Sequence, residues 1–127
     1  MKKLLKVKFL WAGFGLLLLA SCHSASDKIV SFIPGTYVHS AKGEYSQAED
    51  TLVIRLLSGE AYQIRRRTGF QPIREGKLLP KRWKVQLLNG NYDRDKQVLF
   101  ETTNGRVFSF DPDKGVMVVN SAVYRKL

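Results

Sequence analysis

The chain has 127 residues and carries 21 Lys and Arg against 11 Asp and Glu, a formal net charge of +10, with a single cysteine and two histidines. That length suits one small domain with a modest core. The lone cysteine excludes an internal disulfide, and neither His23 nor His39 has a ligand-spaced neighbour, which argues against a zinc centre.

At the amino terminus, Lys2, Lys3, Lys6 and Lys8 supply positive charge with no acidic residue before Asp27. An apolar run follows over 9–19, long enough for the core of an export signal and shorter than the about 18–20 residues that span a bilayer. The next four residues, Leu19-Ala20-Ser21-Cys22, resemble the lipobox of bacterial lipoproteins as a class, a likeness carried by the first fifth of the chain. The resemblance implies that residues 1–21 are a secretory signal peptide removed before Cys22. It further implies a diacylglycerol on the Cys22 sulfur and an acyl chain on the new amino group, with no other cofactor. One acyl chain holds a protein only marginally, at about 0.8 kcal/mol per buried methylene, whereas two or three anchor it firmly. His23 and Ser24 follow the cysteine, and the aspartate that resembles an inner-membrane retention signal is absent from the second position. A cell-envelope location, at the outer rather than the inner membrane, is the resulting expectation.

Loss of the signal removes four lysines and leaves 17 basic against 11 acidic residues, so much of the positive charge says nothing about the domain. A moderately basic domain at a membrane suits anionic head groups, an anionic polymer or an acidic envelope protein, and not nucleic acid. Residues 22–31 read as the lipidated cysteine with a short polar tether, reaching about 30 Å when extended. Residues 32–127 read as the domain.

Along that domain, short alternating apolar segments are separated by turn residues, with no long helical period. This is the pattern of an antiparallel all-β fold. Expected strands are 36–39, 51–57, 61–68, 70–74, 82–88, 97–103, 106–110, 116–119 and 122–126, with Asn89-Gly90 among the turns and room for a helical turn at 41–48 only. Asn104-Gly105 suits a two-residue type I′ hairpin between Thr103 and Arg106. The acids Glu49-Asp50, Asp93 and Asp95, and the segment Asp111-Pro112-Asp113-Lys114-Gly115, read as turn chemistry.

So many strands joined by short turns expose edges unless the sheet closes, which favours a single meander forming a barrel or half-barrel. A β-sandwich is the alternative. The Gly35-Thr36-Tyr37 opening and the closing Tyr124-Arg125-Lys126 resemble small, uncharacterised envelope lipoproteins, and the meander is loosely lipocalin-like.

Two groups of residues are candidates for function. If Tyr62 and Ile64 face inward, strict alternation sends Arg66 inward as well, and a buried guanidinium needs a partner. Glu101 shares an inward face with Leu99, Phe108 and Phe110 under the hairpin pairing and is the candidate partner. Gly69 offers a bulge that would re-aim Arg66 instead. The Arg66–Glu101 pair reads either as a structural ion pair or as an anion-binding cup walled by Tyr62 and Trp83. The second group is the basic run Arg74, Lys77, Lys81, Arg82 and Lys84. Here Trp83, Val85 and Leu87 alternate with Arg82, Lys84 and Gln86, so the charges are expected on a solvated face that attracts head groups or a partner protein.

No nucleophile elbow, phosphate-binding loop or Cys-His pair occurs in the domain. The sequence therefore points to a non-enzymatic binding or interaction module, with a carrier of a small apolar or anionic ligand as the alternative.

Overall fold

The computed structural model describes residues 27–127. The expected signal peptide, Cys22 and the first residues of the expected tether lie outside the described residues. Nine strands follow in order: β1 (Gly35–Lys42), β2 (Ser46–Ser58), β3 (Ala61–Arg74), β4 (Lys77–Leu78), β5 (Arg82–Asp93), β6 (Val98–Glu101), β7 (Val107–Asp111), β8 (Val116–Val119) and β9 (Ala122–Lys126).

Every pairing is antiparallel, and β1 pairs with both β2 and β9, closing eight strands into a barrel. The two-residue β4 is an extra hairpin arm on the end of β3. The expected meander is therefore a closed barrel and not a sandwich. Alternation accounts for it: along β2, Asp50, Leu52 and Ile54 are buried while Glu49, Val53 and Arg55 are exposed.

Several boundaries differ from those expected. Strand β3 runs unbroken past Gly69, whose register with β2 is continuous, so there is no bulge at that glycine; the irregularity lies between Leu56 and Ser58. Residues 41–48 hold no helical turn, because β1 extends to Lys42 and Gly43 N donates to Ser46 O at 2.9 Å. Asn89-Gly90 is strand, not turn. A side chain at Gly90 would meet the Phe100 carbonyl oxygen at 3.0 Å and Leu99 Cδ1 at 3.2 Å, so glycine permits a close approach of β6. Two consecutive positive φ angles, the mark of type I′ turns, occur at Glu75-Gly76 and Asn120-Ser121. At the β6–β7 turn only Gly105 has positive φ, and the pairing is Leu99 with Phe108 and Phe100 with Val107. That pairing differs from the expected one by two residues, so the inward face is unchanged.

The interior is filled by side chains. Ile33, Tyr37, Tyr62, Ile64, Leu99, Phe108 and Met117 are almost wholly excluded from solvent. Residues 27–32 are helical rather than an extended tether, since Ile29, Val30 and Phe32 pack against this core. Ile33 plugs the adjoining end of the barrel. The Tyr37 hydroxyl donates to the Phe32 and Ile33 carbonyls at 2.8 and 2.9 Å, and Lys126 Nζ donates to Phe32 O at 2.6 Å.

Strand lengths are unequal. Strands β2, β3 and β5 have 13, 14 and 12 residues, whereas β6 to β9 have four or five. The long strands and the end of β1 therefore project as an open sheet at the end opposite residues 27–33.

Candidate functional site

Asp50 sits where the closed barrel gives way to that open sheet. It lies opposite His39 on β1 and Thr68 on β3. Both of its carboxylate oxygens accept from Arg66 Nε at 3.0 Å, and Oδ1 also accepts from the Thr68 hydroxyl at 2.8 Å. The Tyr124 hydroxyl of β9 donates to Oδ2 at 2.5 Å, and the His39 ring lies 5.1 Å from the Tyr124 ring. Burial would raise the Asp50 pKa, but hydrogen bonds from Arg66, Tyr124 and Thr68 and the charge of Arg66 outweigh it and hold the carboxyl below its usual range. Burial first, then the hydrogen bond to Asp50 and its charge, push the Tyr124 phenol up.

Arg66 does face inward, but its partner is Asp50 and not Glu101. The Glu101 side chain is buried as expected, yet it turns to its own loop: Oε1 accepts from Thr103 N at 2.7 Å and Asn104 N at 3.0 Å, and Oε2 from Asn104 N at 3.0 Å. The loop after β6 is wider than a two-residue turn and leaves main-chain donors that a carboxylate can satisfy. Tyr62 is a core residue opposite Gly90, and Trp83 lies on the other face of the sheet, so the Arg66, Tyr62 and Trp83 cup does not assemble. Asp50, expected to be a turn acid, is the residue that sequence reasoning missed. Its position in step with Leu52 and Ile54 was the available signal.

The basic run divides between two faces. Leu88, Gly90 and Tyr92 of β5 face the interior, and the period of two then turns Arg82, Lys84 and Gln86 inward as well. These residues lie beyond the packed core, opposite Phe70, Thr68 and Arg66, and Arg82 and Lys84 remain exposed there. Trp83, Val85 and Leu87 consequently face outward, the reverse of the expected arrangement, and are 50%, 51% and 64% exposed. Arg74 and Lys77 flank the β3–β4 turn.

On the outer wall, the Trp83 indole fills the space left by Gly69, where a Cβ would meet the ring at 2.8 Å. The Arg67 guanidinium lies 4.0 Å from the indole centroid and Lys81 Nζ 4.9 Å. Lys81 Nζ also donates to Glu49 Oε2 at 3.1 Å. Val85 and Leu87 stand beside Arg67 and Arg65 with no such cover. The result is an apolar ridge bordered by cations on the outer wall of β5.

No protein family, curated protein or solved structure matches the chain.

Proposed function

We propose that the chain is a cell-envelope lipoprotein, anchored through acyl chains on Cys22 and carried to the outer membrane, whose barrel is a non-enzymatic module that binds a partner through its outer surface. The observation that carries this reading is the contrast between the two sides of the wall. The interior is occupied by Tyr37, Tyr62, Phe108 and Met117, while Trp83, Val85 and Leu87 stand exposed outside. A carrier of the lipocalin kind needs interior volume, and that packing weighs against it. A catalytic reading needs a poised acid or base. The Asp50 cluster instead closes on itself, with its carboxylate held ionised by three donors.

Native mass spectrometry of the full chain, extracted from membranes in detergent, tests the reading. The expected mass is that of the lipidated polypeptide alone. A small molecule retained in stoichiometric amount would transfer the assignment to a carrier.

A further inference from the structure

We propose that the free edge of β5, from Trp83 to Leu87, takes up an extended segment of a partner protein in which apolar and acidic residues alternate, adding it to the barrel sheet as a further strand. The proposal rests on the reading of the domain as an interaction module and names the kind of partner.

The edge follows from hydrogen-bond alternation. Tyr92 N donates to Glu60 O on the β3 side, and Asn89 O accepts from Thr102 N on the β6 side, both at 2.9 Å. Even-numbered residues of β5 thus direct their main-chain groups toward β3, and odd-numbered residues direct theirs away from it. Strand β6 pairs with β5 only from Gly90 onward, and Thr102 reaches Asn89. Among the described residues, no strand pairs with Trp83, Val85 or Leu87 on that side, although β3 holds the other side throughout. Their N–H and C=O groups form an open template of about 13 Å.

The side chains set the chemistry of the occupant. An added strand alternates its own side chains, so one set lies beside Trp83, Val85 and Leu87 on the outer face. The other set lies beside Arg82, Lys84 and Gln86 on the inner face. Apolar groups complement the first set, and carboxylates complement Arg82 and Lys84 in the second, whereas Arg65 and Arg67 of the neighbouring strand lie on the outer face beside Leu87 and Val85. A second copy of this chain fits less well, because pairing β5 with itself gathers Arg82 and Lys84 of both copies on one face. Inward-pointing lysine on an edge is a recognised device against self-pairing. The edge also lies at the end of the barrel opposite residues 27–33, which lead from the anchor, so the template points away from the tether.

The test uses the full chain in detergent and a dye-labelled seven-residue peptide in which valines alternate with glutamates, read by fluorescence anisotropy. Saturable binding is expected, weakened about tenfold or more by lysine in place of glutamate and by N-methylation of the peptide backbone. Val85→Pro removes an outward N–H and leaves the β3 ladder intact, as proline on a strand edge does. It should abolish binding while circular dichroism stays unchanged. If that variant does not fold, Lys84→Glu decides, with an expected reversal of preference toward the lysine peptide. Equal binding of both peptides, unchanged binding by folded Val85→Pro, an unreversed preference in Lys84→Glu, or a chain that dimerises through this edge and ignores the peptide would each overturn the proposal. Those failures leave an empty barrel in native mass spectrometry, so they are distinguishable from failure of the module reading.

Discussion

The Tyr124 hydroxyl donates to Asp50 Oδ2 at 2.5 Å, tying β9 to β2 across the intervening β1. With Arg66 and Thr68 donating from β3, one carboxylate joins three strands at the rim of the closed barrel. A buried carboxylate is costly unless its lone pairs are satisfied, so removing it leaves a guanidinium and two hydroxyls without their acceptor. Asp50→Ala is expected to destabilise the domain by about 3 kcal/mol and Tyr124→Phe by about 1–1.5 kcal/mol, measured by urea unfolding. Because the groups share one acceptor, the double variant should cost less than the sum of the two. A wild-type midpoint for Asp50→Ala would show that the carboxylate ties nothing.

The same cluster sets a pH dependence. Asp50 has a lower pKa folded than unfolded, where a carboxyl titrates near about 3.9. Its stabilisation is therefore complete above that value and is lost as the pH falls through the lower folded one. Tyr124 has a raised folded pKa, so its contribution is present below about pH 10 and is lost as the pH rises through the folded value. Melting temperature should fall on both flanks, and Asp50→Asn should flatten the acid flank selectively. An acid flank identical in Asp50→Asn and wild type would remove Asp50 from the explanation.

Period-two alternation made the barrel legible, because short apolar strands with short turns have few ways to hide their edges. It also placed Arg66 and Glu101 inward, and a register error of two residues at the β6–β7 turn could not alter that. Parity within β5 was not legible. Trp83, Val85 and Leu87 look like a core stripe beside Arg82, Lys84 and Gln86, and only the continuation of the strand through Asn89-Gly90 to Tyr92 sets them outward. A turn at Asn89-Gly90, which the dipeptide suggests, breaks the link in parity between Tyr92 and Val85. Asp50 was hidden for a similar reason: read as a turn acid, it lost its place in the alternation that begins at Ser46. Pairings between side chains distant in sequence, such as Arg66 with Asp50, depend on register between strands, which no single strand encodes.

Glu101 carries a separate local role. It is 1% exposed, and its carboxylate collects the main-chain N–H groups of Thr103 and Asn104, fixing the loop between β6 and β7. Glu101→Ala leaves those donors and a void near the barrel wall, with an expected loss of about 2–3 kcal/mol. Glu101→Gln keeps one acceptor oxygen and should lose less. Amide hydrogen exchange at Thr103 and Asn104 should quicken in both variants before the rest of the barrel is affected. Uniform acceleration across all strands would contradict a local cap.

Two glycines make a paired test of close approach. A Cβ at Gly90 meets the Phe100 carbonyl oxygen at 3.0 Å, a backbone atom held by the β5–β6 ladder. A Cβ at Gly69 meets the Trp83 ring at 2.8 Å, a closer contact, but with an exposed side chain that can swing away. Gly90→Ala is therefore expected to cost about 1–3 kcal/mol, and Gly69→Ala to fall within about 0.5 kcal/mol of wild type, despite the distances. Urea midpoints in the reverse order would mean that the Trp83 stack matters more to the fold than the β6 contact.

The anchor is the remaining expectation, and it concerns Cys22, outside the described residues. If Leu19-Ala20-Ser21-Cys22 directs lipidation, the sulfur is the only site for the diacylglycerol, since the chain has no second cysteine. Cys22→Ser should then abolish palmitate labelling in a bacterial host. The precursor should accumulate uncleaved, because the lipoprotein peptidase acts on the modified cysteine. The residues packed against the core begin at Ile29, after Cys22, so the variant should still fold, with an unchanged urea midpoint for residues 27–127. Loss of labelling with retention of the fold separates the anchor from the domain. Normal labelling of Cys22→Ser would overturn the lipoprotein assignment and leave the barrel and its β5 edge to be placed elsewhere in the cell.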